Sequence, residues 1–203
     1  MITIYGSPRS SSGRCFWTLE EVGAEYANKP VDFKANEHKS EEFLKVNPNG
    51  KVPVLVDGDF TIWESMGINL YLAEKYKPEL LGTTPEQKGL SYQWSIWSIG
   101  ELQPPLIEAF IQLVFVPEER RSEEVIEKAK AKLPSLLNTI DTTLCNSKYL
   151  AGSVFTLADL NTASVVEICD LIGYSLEEYK NISAWRGAIS ERPAFAKYKK
   201  LCE

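Results

Sequence analysis

The stretch that decides the fold is Asn47-Pro48-Asn49-Gly50-Lys51-Val52-Pro53-Val54-Leu55-Val56-Asp57-Gly58-Asp59-Phe60-Thr61-Ile62-Trp63-Glu64-Ser65-Met66. Asn-Pro-Asn-Gly breaks whatever precedes it. Val52–Val56 and Phe60–Trp63 then read as two strands, joined by Asp57-Gly58-Asp59, a strong hairpin signal. Pro53 stands at the entrance of the first strand and has no N–H for a ladder. A cis bond at Val52-Pro53 turns the Val52 backbone outward, where it can pair with an extended peptide. Glu64 to Tyr76 reads as a helix with Ile68, Leu70, Tyr71 and Leu72 on its apolar side. The free N–H groups at its start, around Ser65, suit a carboxylate. Together these features predict a pocket for something peptide-like and acidic.

Upstream, Met1–Tyr5 is a short β-branched strand and Gly6–Gly13 a loop rich in Gly, Ser and Pro. Arg14–Val22 carries Cys15, Phe16, Leu19 and Val22 at helical spacing and stops at Gly23. Tyr26–Phe33 reads as a second strand, with Pro30 marking a sheet edge. Ser40 opens a short helix to Val46. The order is β-α-β-α-β-β-α over residues 1–77. Residues 78–85 read as a linker, and from residue 86 to 203 the strand signals vanish. Helical stretches follow at about 86–115, 118–144, 156–171, 176–191 and 193–201. Thr156 to Asp159 carries a capping-box pattern. The expected fold class is α/β in the first domain and all-α in the second.

Composition narrows the function classes. The chain has 203 residues, 44% of them hydrophobic and 25% charged, so it builds a core without metal or disulfide staples. Its net charge of −6 disfavours nucleic acid and anionic membrane surfaces as partners. No transmembrane run and no signal-peptide pattern is present in the sequence. The four cysteines, Cys15, Cys145, Cys169 and Cys202, form no Cys-x-x-Cys pair, which points to reduced thiols and a cytoplasmic location. A single histidine, His38, argues against a metal centre, and none is expected.

The Val-Pro strand, the hairpin, Glu64-Ser65 and the helical second half together resemble the glutathione transferase family over the whole chain. The serine-type classes (theta-, phi- or nu-like) are the nearest in pattern. The resemblance implies a thioredoxin-like first domain that binds glutathione, with Pro53 cis. It implies that Val52 holds the cysteinyl part through its backbone, and that Glu64 and Ser65 hold the γ-glutamyl end. Glu37-His38-Lys39-Ser40 looks like the His-Lys segment of the theta- and phi-like classes, so His38, with Lys39 or Lys51, is expected at the glycine carboxylate. No tyrosine stands in the first loop. In serine-type members the active hydroxyl lies four or five residues before the arginine that begins the first helix. Counting back from Arg14 reaches Ser10 at four and Arg9 at five, so Ser10 is the first candidate and Ser11 the second.

A serine is sufficient in magnitude. A thiol with a pKa of about 8.5 needs about 2.7 kcal/mol to fall two units. A charge-assisted hydrogen bond supplies about 1.5–3 kcal/mol, and a helix N-terminus adds about 0.3–1. Cys15 falls inside the helix and reads as core. Trp94, Trp97, Glu101 and Phe110 form a stripe at helical spacing, which by itself is more often core than a ligand wall. In the resembling family this helix walls the electrophile pocket, so part of the stripe is expected to be exposed. The function expected is conjugation of glutathione to a hydrophobic electrophile in detoxification, without any other cofactor, by a homodimer. A glutathione-dependent disulfide reductase or peroxidase and a non-catalytic interaction module are the alternatives; the lack of a further domain or long tail argues against the last.

Overall fold

The computed structural model describes all 203 residues. Two compact units divide it: residues 1–81 with 191–203, and residues 82–190.

In the first unit, β1 (Ile2–Tyr5), β2 (Tyr26–Lys29), β3 (Val54–Asp57) and β4 (Phe60–Trp63) form one sheet in the order β2-β1-β3-β4. β1 runs parallel to β2 and antiparallel to β3, and β3 pairs antiparallel with β4. The hairpin turn closes at Gly58, whose φ of 63° is the left-handed value such a turn requires. Ile4 and Leu55 face each other in register and are both fully buried. Removing such a side chain from water stabilises the fold by about 1.5–3 kcal/mol. Their neighbours in the next register position, Tyr5 and Val54, lie on the opposite face. There Tyr5 meets Phe43 of α2 (Glu41–Val46) edge-on, with ring centroids 6.0 Å apart.

Helices α1 (Gly13–Val22) and α3 (Ser65–Tyr76) pack against each other. α1 ends because Gly23 takes a left-handed φ of 67° and its N–H closes back on the Leu19 carbonyl.

The last helix, α11 (Pro193–Leu201), belongs to this first unit and packs on α1. Trp17 is fully buried between Phe195 (4.8 Å, edge-on) and Tyr198 (5.9 Å, stacked). Arg192 grips Glu21 with two parallel hydrogen bonds of 2.7 Å, and Trp17 Nε1 donates to the same carboxylate at 3.3 Å. The division therefore departs from the expected 1–77, 78–85 and 86–203. Apolar periodicity shows that helix 193–201 has a face to bury, not which surface covers it. Arg192→Ala strips a buried carboxylate of its partner and is expected to cost about 2 kcal/mol, read as a lower urea midpoint.

The second unit is helical: α4 (Pro85–Trp97), α5 (Gln103–Phe110), α6 (Glu123–Lys130), α7 (Leu133–Cys145), α8 (Leu157–Val166), α9 (Ile168–Leu171) and α10 (Lys180–Ser190). Three expected helices are interrupted: 86–115, 118–144 and 156–171, the last dividing at Glu167 into α8 and α9. The 86–115 stretch widens into π-helical turns at Ser98–Leu102 and Ile111–Phe115. Pro104 and Pro105 lack the N–H groups that the carbonyls of the preceding turn need, which accounts for the first. The 118–144 stretch starts its helix only at Glu123 and divides into α6 and α7 where Pro134 opens the second. α10 starts at Lys180 rather than 176, where Asp141 Oδ1 accepts from the N–H groups of Asn181 (2.9 Å) and Ile182 (3.0 Å).

α8 opens with the capping box. Thr156 Oγ1 accepts from Ala158 N–H at 3.2 Å, and Asp159 Oδ2 accepts from Thr156 N–H at 2.9 Å. Asp159 is fully buried, and its Oδ1 accepts from Leu150 N–H (2.8 Å) and Trp185 Nε1 (2.9 Å). Burial pushes its carboxyl up to about 6, against the hydrogen bonds that favour the anion. No helix is long and apolar enough to cross a membrane.

Candidate active site

The Val52-Pro53 peptide is cis, as the strand entrance suggested. The β3 ladder begins only at Val54, so the Val52 backbone lies outside it. The loop before it is held by Asn47, which is buried: its Nδ2 donates to the Lys51 carbonyl at 2.6 Å, and its Oδ1 accepts from Asn49 N–H at 3.0 Å. Gly50 turns with a φ of 60° directly against the His38 backbone, where an added methyl group would come within 3.0 Å of the His38 carbonyl. The segments bearing His38 and Lys51 are thereby brought together. The His38 ring stacks on Phe33 at 4.6 Å, its Nδ1 buried without a partner. Lys39 and Lys51 are exposed.

At the end of β4, Glu64 takes a φ of 73°, and its exposed side chain makes no capping hydrogen bond. α3 thus starts with its first N–H groups uncapped. Ser65 is buried there, and its Oγ accepts from Arg14 Nη1 at 3.2 Å. Asn69 Nδ2 donates to the Arg14 carbonyl at 3.4 Å, and the Cys15 thiol reaches the Ser65 carbonyl at 3.5 Å. These bonds fix α1 and α3 side by side. Burial pushes the Cys15 thiol up to about 12, so it stays protonated and is core, not a nucleophile.

The serine loop precedes α1. Ser10 Oγ donates to the Ser7 carbonyl at 2.8 Å and accepts from Ser12 N–H at 3.1 Å, and Ser10 and Ser11 are exposed. Ser12 is fully buried, its Oγ without a partner. Gly6, with a φ of 144°, lets the loop pass so closely that a methyl group there would come within 2.2 Å of Ser12 Oγ.

Residues 1–74 match the family model of the glutathione S-transferase N-terminal domain, and residues 102–193 that of the C-terminal domain. The chain belongs to the glutathione S-transferase family. It is 37% identical to glutathione S-transferase F10 of Arabidopsis thaliana, over 96% of this chain and 94% of that one. It is 34% identical to glutathione S-transferase 1 of Zea mays, over 96% and 94%. Among solved structures it is similar to glutathione S-transferase I bound with lactoylglutathione, with a TM-score of 0.90 and 34% identity over 98% and 99% of the two chains. The maize enzyme in complex with an atrazine glutathione conjugate matches with the same score and identity, over 98% and 97%.

In the second unit of this transferase the expected stripe is exposed only in part. Trp94 is only 4% exposed and packs edge-on against Trp97 at 5.1 Å, so its ring belongs to the helical core and offers no surface to an electrophile. Trp97 and Phe110 are half-buried and Glu101 is exposed. Sequence reasoning passed over the run that follows α5. Ile111, Val114 and Phe115 are exposed, and Phe115 meets Phe110 edge-on at 5.6 Å. Arg121 holds the turn by donating to the Leu113 carbonyl (2.8 Å) and the Val116 carbonyl (3.2 Å). The readable signal was a run from Phe110 to Val116 that is apolar apart from Gln112 and ends at Pro117.

Proposed function

We propose that this glutathione transferase lays its co-substrate across the first unit as an extended peptide. The γ-glutamyl carboxylate takes the uncapped start of α3 and the Ser65 hydroxyl, and its ammonium takes the Glu64 carboxylate. The cysteinyl backbone pairs with Val52 beside Pro53, and the glycine carboxylate lies toward His38, Lys39 and Lys51. The uncapped α3 N-terminus, with a buried serine behind it and a carboxylate beside it, carries this reading: it offers donors to an anion and an acceptor to a cation at the spacing of one amino acid.

At the thiol, the Ser10 hydroxyl turns from the Ser7 carbonyl to the sulfur, with Ser11 the second candidate. A charge-assisted bond replaces a neutral one and is roughly twice as strong. The thiol proton leaves to solvent. The thiolate then attacks the electrophile, a C–S bond forms and the leaving group departs with its electron pair. Thiolate stabilisation and proximity supply the rate. Within the second unit, the half-buried Trp97 and Phe110 and the exposed Phe115 and Glu101 are the side chains this proposal assigns to a hydrophobic electrophile. A homodimer and a cytoplasmic location complete the proposal. Exposed Phe60 and Tyr76 support the first, and four free cysteines the second.

The test is conjugation of glutathione to a nitro-activated aryl chloride, followed by product absorbance. A rate that saturates with millimolar glutathione supports the reading. A protein that binds no glutathione at that concentration is instead an interaction module.

A further inference from the structure

Arg14 carries a charge into the interior: it is 5% exposed, and so is Ser65, whose Oγ its guanidinium reaches at 3.2 Å. A guanidinium has five donors and no acceptor. Facing it, the Ser65 oxygen accepts, and the hydroxyl has one proton left to give. No acceptor of the chain takes that proton. The N–H groups of the uncapped first turn of α3 are also donors. The Ser65 hydroxyl proton and the first N–H groups of α3 are therefore what this corner offers a ligand.

We infer that Arg14 is a positioning residue that acts through Ser65: it fixes the hydroxyl as an obligate donor, so that this corner selects a carboxylate over a neutral group of the same shape. The inference rests on the placement of the γ-glutamyl end given above. A serine facing a neutral neighbour turns its proton either way. A serine facing a guanidinium does not, and the selectivity follows from hydrogen-bond direction rather than from size. The arginine touches neither the thiol nor the electrophile, so its loss shows in glutathione affinity and KM while kcat at saturation stays the same.

The experiment compares two ligands by calorimetric titration: glutathione, and the tripeptide analogue with 4-aminobutanoyl in place of γ-glutamyl, which lacks only the α-carboxylate. Arg14→Gln keeps a polar group of similar reach but offers an acceptor as well as donors. It is expected to weaken glutathione about 10-fold and to leave the analogue within about twofold. Equal weakening of both ligands, or of neither, overturns the inference, because a merely structural role lowers both together. Should Arg14→Gln fail to fold, Arg14→Met removes the donors without burying an amide, and the same ratio is read. In the Arg14→Met background, a further Ser65→Ala is expected to change glutathione affinity little, whereas an undiminished loss overturns the coupling. Wild type that binds no glutathione removes the site itself. Wild type that binds both ligands equally keeps glutathione binding but removes the γ-glutamyl carboxylate from this corner, and with it the role given to Arg14.

Discussion

Ser10→Ala is expected to bind glutathione within about twofold of the wild type and to conjugate it about 10–100-fold more slowly at neutral pH. The hydroxyl contributes about 1.5–3 kcal/mol to the bound thiolate. At 1.36 kcal/mol per unit, its loss raises the thiol pKa by about one to two units. The sign fixes the pH profile. The variant is short of thiolate at pH 7 and not at pH above its own thiol pKa, so the two rates converge as pH rises toward about 9. Thiolate absorbance of the complex, titrated alongside the rate, checks the cause. Ser10 also tethers its own loop, accepting from Ser12 N–H and donating to the Ser7 carbonyl. If the tether is what matters, the deficit is the same at every pH. If Ser10→Ala behaves as wild type, Ser11 holds the thiolate, and Ser11→Ala inherits the prediction.

Asp159→Asn is expected to destabilise the second unit by about 4 kcal/mol at pH 7, from buried donors losing their acceptor at about 1–3 kcal/mol each. Both oxygens of the carboxylate are in use: Oδ1 serves Leu150 N–H and Trp185 Nε1, and Oδ2 serves Thr156. An amide turns an NH2 toward one of these donor pairs, so the near-isosteric change is not conservative here. The carboxyl titrates at about 6 in the fold and at about 4 unfolded, so folding takes up a proton between those values. The stability linked to that proton is present below pH 4 and lost as pH rises through 6. The gap between wild type and Asp159→Asn is therefore wider at pH 4 than at pH 7, by urea unfolding at both. A gap that widens with pH instead contradicts the burial argument.

What the sequence shows and what it hides divide along chain distance. The hairpin around Gly58, the cis Val52-Pro53 bond and the box from Thr156 to Asp159 are each set within a few residues, and all three are legible. The placement of Glu64, Ser65 and the serine loop is legible to the same extent, because they lie at element boundaries that turn residues mark. Contacts across the chain are not. Asp141 caps α10 from 40 positions away. Arg14 reaches Ser65 across 51 positions, and Arg192 reaches Glu21 across 171. Helical spacing places Trp94 and Trp97 on one stripe but does not say which ring faces inward. The π-helical turn at Ser98–Leu102 shifts that spacing, and with it the face that each later residue presents.

The return of α11 to the first unit has a consequence for how the chain comes off the ribosome. Residues 1–81 are synthesised first, yet their unit is complete only when residues 191–203 arrive. At about 5–20 residues per second that interval is on the order of ten seconds. Throughout it Trp17 lacks its cover from Phe195 and Tyr198, and Glu21 lacks Arg192. The nascent chain carries an apolar face with a charge beside it, a surface for chaperones until the last helix closes over it.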